Sequence, residues 1–109
     1  MKRGDIVTVA APGDYGKPRP AVVIQSNAFI EDHATVLVCP FTTSLTEAPL
    51  IRIPVEPSQD NGLVAPSQIM ADKIVTMKRQ KIGPVIGQLD GDTLTRLNRS
   101  LALFIGIAE

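Results

Sequence analysis

Tryptophan is missing from this sequence, and only four aromatic residues occur: Tyr15, Phe29, Phe41 and Phe104. A binding surface built mainly from stacked aromatic platforms is therefore poorly supported. Cys39 is the only cysteine, which excludes an intrachain disulfide and a cysteine-rich metal site. It lies between Val38 and Pro40 in an apolar run and reads as a packing residue. His33 is the only histidine, set among Glu31 and Asp32, so there is no histidine pair from which to build a metal centre. Net charge is also missing: 11 Lys and Arg balance 11 Asp and Glu. No global field draws a polyanion to the chain, and any such site must be local. No apolar run approaches the roughly 20 residues of a membrane span, and the N-terminus carries no signal-peptide block, so a cytoplasmic protein without a membrane role is expected.

What is present suits one ordered domain over residues 1–109, with 44% apolar and 20% charged residues and enough length for a single core. Short apolar runs dominate. Ile6 to Ala10, Ala21 to Gln25 and Ala34 to Cys39 read as the first three strands, with a short helical turn between Asn27 and Asp32. Pro12 to Pro18 supplies turn formers almost continuously and reads as a loop. Leu50 to Val55 carries a proline at position 54 and belongs at a sheet edge. Glu56 to Gly62 is a turn, and Leu63 to Ala65 with Gln68 to Met70 reads as a strand interrupted by Pro66. Ile74 to Met77 precedes the basic stretch Lys78 to Lys81, and Gly83 to Gln88 closes the strand series. The period then changes. Asp90 and Asp92 suit a helix N-terminus, and Leu94, Leu97, Leu101 and Phe104 or Ile105 recur at spacings of three and four, predicting a C-terminal helix packed on the sheet. The expected fold is mainly β with α: a small, strongly curved sheet or barrel plus this helix.

Three parts suit one anion site. Arg19 lies between Pro18 and Pro20 at the mouth of the second strand, where both prolines restrict the backbone and fix where the guanidinium is presented. Thr42, Thr43 and Ser44 follow the third strand directly, and Ser67-Gln68 lies in the later strand. A guanidinium offers planar forked donors matched to phosphate oxygens, and hydroxyls add donors that tolerate changing geometry. The same hydroxyls also suit plain turn capping. No carboxylate cluster for a two-metal site and no Ser-His-Asp or Cys-His set competes.

Four segments carry a resemblance: Lys2-Arg3-Gly4-Asp5-Ile6-Val7, Arg19-Pro20 entering Val22-Val23-Ile24-Gln25, Cys39-Pro40-Phe41-Thr42-Thr43-Ser44, and Ser67-Gln68-Ile69 with Asp72-Lys73 downstream. In this order, over nearly the whole chain, they resemble the MazF/PemK toxins of type II toxin–antitoxin systems. The resemblance implies an SH3-like barrel with added helices in a homodimeric, metal-independent and cofactor-free endoribonuclease that acts on single-stranded RNA and is held inactive by a cognate antitoxin. It places the catalytic pair on Arg19 and Thr42 and RNA contacts on Asp14, Tyr15, Lys17, Thr43, Ser44, Ser67 and Gln68. The RNA's own 2′-hydroxyl would be the nucleophile, leaving a cyclic phosphate and a free 5′-hydroxyl. Arg19 would neutralise charge growing on the phosphoryl oxygens, and Thr42 would hold the phosphate.

Two departures stand out. The loop before Arg19 is cut to Gly13-Asp14-Tyr15-Gly16-Lys17, so a loop residue serving in proton transfer would have to be Asp14 or Tyr15. Ala65 and Ser67 occupy positions where some plasmid-borne relatives carry an arginine and an aspartate. An alternative from the same superfamily also stays open: Val23-Ile24-Gln25-Ser26 and Phe104-Ile105-Gly106-Ile107 resemble segments of the CcdB gyrase poisons, which share the fold without being enzymes. Those proteins bind gyrase through a tryptophan that this chain does not have. The apolar Leu101 to Ile107 segment is a candidate dimer surface or plain core.

Overall fold

A computed structural model describes residues 1–10 and 17–108. Among the described residues, seven strands form an antiparallel sheet: β1 (Asp5–Val9), β2 (Arg19–Val23), β3 (Thr35–Thr42), β4 (Arg52–Val55), β5 (Ser67–Met70), β6 (Val75–Lys78) and β7 (Ile82–Gln88). An α-helix, α1 (Gly91–Phe104), follows them. The strand path runs β4-β5-β3-β2-β1-β7, and β6 pairs with β3 off that path. β4 is thus an edge strand, as Pro54 predicts.

Curvature originates in β3. One side of it pairs with β2, while its other side changes partner, from β6 at Thr35 to Val38 to β5 at Phe41 and Thr42. Pro40 falls in the gap between those two partners, so its missing N–H interrupts no rung there. The third strand therefore runs through Pro40 to Thr42, three residues beyond the expected end at Cys39.

Across β1, β2 and most of β3 the sheet is buried on both faces, which explains the continuous apolar runs. Ile6, Val22, Cys39, Phe41, Ile53 and Ile69 face one core together with Leu97 and Leu101 of α1. The alternate residues Val7, Val9, Ala21, Val23, Val36 and Val38 face a second core with Ile30 and Met77. Burial pushes the Cys39 thiol up to about 12, consistent with a packing role.

The ends of the strand path, β4 and β7, meet through the turn after β4. Asn61 organises that turn: its Oδ1 accepts from Ser58 N and Leu63 N, and its Nδ2 donates to Glu56 O. Gln88 N of β7 donates to Asp60 O at 2.8 Å. Gly62, at φ 70°, could not take a side chain without strain, and a Cβ on Gly87 would run into the Asn61 carbonyl and Asp60 O. Because the Leu63 amide serves this turn and Val64 is fully open to solvent, Leu63 to Ala65 is not a strand, contrary to the sequence expectation. β5 starts only after Pro66.

Asp90 caps α1, its Oδ1 accepting from Thr93 N at 2.7 Å, and this bond holds its carboxyl below the usual carboxylate range. The apolar stripe is buried at Leu97 and Leu101 and half-buried at Leu94, but Phe104 and Ile105 are 50% and 54% exposed. The last turn of the predicted stripe is thus only partly covered, with Ile105 bordering a concavity shared with Ile24, Leu37 and Ile74.

Candidate active site

The β1–β2 register places Arg19 opposite Val9, and the β1–β7 register places Val9 opposite Ile82. Continuing the β2–β3 register two residues past Ala21 opposite Pro40 brings Arg19 level with Thr42. Thr42 in turn faces Gln68, and Gln68 faces Pro54. Residues directly opposite in a sheet share a face, so Ile82, Val9, Arg19, Thr42, Gln68 and Pro54 form one row across it. This is the face that carries the second core at Ala21 and Val38. Along the row the cover ends: Val9 is still buried, whereas Thr42 and Gln68 are half-buried and Arg19 is exposed.

A cleft of about 400 Å3 opens there, lined by Arg19, Thr42, Thr43, Ser44 and Ser67 over an apolar base that includes Val9, Pro40 and Met70. The site therefore combines a permanent cation with hydroxyl groups above a rigid sheet. Thr42 Oγ1 accepts from Ser44 N at 3.1 Å, which leaves the hydroxyl hydrogen available to donate to a ligand. That donor and the Arg19 fork approach from adjacent strands, an arrangement suited to a tetrahedral anion such as a phosphodiester.

The other predicted residues divide. Thr43 and Ser44 line the cleft and are exposed; Lys17 is exposed just before β2. Ser67 also lines it, but the residue is buried and its hydroxyl donates to Ala65 O at 2.9 Å. Gln68 lies in the row beside Thr42, with its carboxamide engaged by Thr46: Nε2 donates to Thr46 O at 2.8 Å, and Oε1 accepts from Thr46 N at 3.1 Å. Asp14 and Tyr15 lie outside the described residues. Asp72 belongs to the frame. Arg52 donates to both its oxygens, at 3.0 and 3.3 Å, and this bidentate contact holds the carboxyl below its usual range. Sequence reasoning missed Val9 and Met70 as the apolar base; the strand register alone identifies Val9 as the neighbour of Arg19. Among the described residues, no group of three or more His, Cys, Asp or Glu side chains could hold a metal ion.

Fold and cleft together define a small antiparallel β protein with a cation and a hydroxyl donor lining one cleft. Comparison with known proteins makes this specific. Residues 2–105 match the family model described as PemK-like, MazF-like toxin of type II toxin-antitoxin system. A protein of Mycolicibacterium smegmatis named probable endoribonuclease MazF is 47% identical over 109 residues, covering 99% of each chain. Among solved structures, an endoribonuclease in complex with its cognate antitoxin from Mycobacterial species superposes with a TM-score of 0.84 at 24% identity, covering 100% of this chain and 98% of that one. A MazE-MazF structure from Deinococcus radiodurans gives 0.81 at 17% identity, covering 99% and 97%. The chain belongs to the PemK-like, MazF-like toxin family. These matches favour the endoribonuclease reading over the gyrase-poison alternative.

Proposed function

We propose that this MazF-family endoribonuclease cleaves single-stranded RNA by attack of the RNA's own 2′-hydroxyl on the adjacent phosphorus, with Arg19 and Thr42 as its catalytic pair. The observation that carries this reading is the cleft in which the two residues meet at adjacent strand ends. The 2′-oxygen forms a bond to phosphorus as the bond to the 5′-oxygen breaks; the 2′-hydroxyl proton passes to water and the departing 5′-oxygen takes a proton from water, giving a cyclic phosphate and a free 5′-hydroxyl. No protein nucleophile is required. Negative charge grows on the non-bridging oxygens during this step, and the guanidinium lowers its energy by forked, charge-assisted donation. The Thr42 hydroxyl, oriented by the Ser44 amide, adds a second donor from the neighbouring strand. Lys17, Thr43 and Ser44 supply further contacts to the strand.

In this reading the protein acts in the cytoplasm as a single domain over residues 1–109, as a homodimer, and is restrained by a cognate antitoxin. The exposed apolar end of α1 supports pairing of two copies, since Ile105 and Ile107 border a concavity of about 620 Å3 with Ile24, Leu37 and Ile74. The antitoxin reading is supported by the complexed state of the similar solved structures. Incubation of the purified protein with single-stranded RNA in excess EDTA tests the proposal. Fragments ending in a cyclic phosphate and starting with a 5′-hydroxyl are expected. Intact RNA, or fragments with 5′-phosphates, would rule it out.

A further inference from the structure

The segment between β3 and β4 lines the cleft beside Thr42 through Thr43 and Ser44, and it continues from there along the surface. Thr43 to Glu47 are all exposed, and Leu45 is 58% exposed. Its ends are tied locally, by Ser44 N to Thr42 Oγ1 and by the Ile51 and Arg52 amides to Ala48 O. Its middle is held from a distance. The flat carboxamide of Gln68 takes both backbone groups of Thr46, accepting from the N–H and donating to the carbonyl, in the manner of one rung of a sheet. Gln68 is itself rigidly placed, because β5 lies between β3 and β4 and this residue pairs with Thr42 on one side and Pro54 on the other. One side chain therefore fixes this segment to the same strand pair that carries the Thr42 hydroxyl.

We propose that Gln68 is a positioning residue, holding segment 43–47 at a fixed height beside the scissile phosphate so that the segment, with Leu45 as its apolar contact, selects the RNA bases flanking the cut. This rests on the endoribonuclease reading above. The Thr46 peptide fixes the orientation of the carboxamide, and Gln68 is not among the described residues lining the cleft, so its removal acts on fit and not on the reacting phosphate. With Thr43 to Glu47 all exposed, an unpinned segment samples many conformations and admits many base sequences.

The test compares the parent, Gln68→Ala, and Gln68→Glu, which keeps the size but replaces the donating amide by an acceptor facing the Thr46 carbonyl. Kinetics on a single-stranded oligoribonucleotide are read beside sequencing of cleavage ends and hydrogen exchange at the Thr46 amide. Losing two neutral hydrogen bonds should speed Thr46 exchange in Gln68→Ala about tenfold or more. KM should rise about tenfold with kcat held within about threefold, and the set of cleaved sequences should broaden. Leu45→Ala should add little to Gln68→Ala, because both act through one segment. A fall in kcat at constant KM, unchanged kinetics, unchanged Thr46 exchange, or full additivity of the two substitutions would each overturn the proposal. If the parent leaves RNA intact, the functional reading fails, while Thr46 exchange still decides whether Gln68 holds the segment.

Discussion

Replacing Thr42 by valine isolates one hydroxyl. Valine keeps the β-branched shape that suits the end of β3, so strand geometry is preserved while two interactions are lost. The first is the bond from Ser44 N, 3.1 Å in the parent. Ser44 is exposed and water replaces the lost acceptor, so the stability cost is about 0.5–1 kcal/mol, or about 2–5 °C in Tm for a domain of this size. The second is the donor offered to the phosphoryl oxygen. Donors aimed at growing negative charge are worth about 10²–10³ in rate, and the half-buried position of Thr42 favours the lower end, about 10²-fold in kcat. Thr42→Ser keeps both the donor and the acceptor and should stay within about tenfold of the parent. Single-turnover cleavage of a fluorescent single-stranded oligonucleotide, with Tm measured in parallel, separates the two effects. Cleavage by Thr42→Val within about threefold of the parent would refute the argument, as would equal losses in the serine and valine variants.

Three further outcomes follow from the frame. Gly87→Ala forces a Cβ into the Asn61 and Asp60 backbone and should cost about 2–4 kcal/mol through overpacking and the strained bond to Gln88, read as a shift in the urea midpoint; an unchanged midpoint would show that the turn is not fixed against β7. The Asp72 carboxyl is held below its ordinary value near 3.8 by Arg52, so the stability it contributes is present above that pH and lost as pH falls through the lower folded value. Thermal scans of Asp72→Asn below about pH 4 should therefore show a flatter decline than the parent, and parallel curves would contradict the assignment. Cys39, raised from 9.0 to about 12, should resist a disulfide thiol reagent in the native state at neutral pH and react on unfolding; its contribution to stability fades as pH rises from about 9 toward 12. Rapid labelling of the native protein would refute this.

The strands were legible because a sheet buried on both faces writes itself as short apolar runs, as at Val22-Val23 and Val36 to Cys39. The helix was legible through its Asp90 cap and leucine spacing. Its exposed end was not, since the pattern of Phe104 and Ile105 records an apolar stripe without recording how fully the chain's own packing covers it. Pro40 looked like the end of β3 because the change of partner that tolerates it is a tertiary event. Leu63 to Ala65 has strand-like composition, and only the Asn61 turn, which uses the Leu63 amide, removes it from the ladder. In the site, Arg19 between prolines and the hydroxyls after Phe41 were visible as residue types in order. The engagement of Gln68 by Thr46 was not visible, because 22 residues separate them and nothing local signals the contact.

In the proposed reaction Arg19, level with Thr42 across β2 and β3, stabilises the phosphoryl charge of RNA cleavage. The most direct measurement is the single-turnover cleavage rate of Arg19→Ala and Arg19→Lys against the parent, with saturating enzyme and folding checked by Tm. Loss of the guanidinium should cut the rate by about 10²-fold or more, with partial retention in the lysine variant, which keeps the charge but loses the planar fork, and with Tm nearly unchanged because Arg19 is exposed. Cleavage by Arg19→Ala at the parental rate would contradict the account.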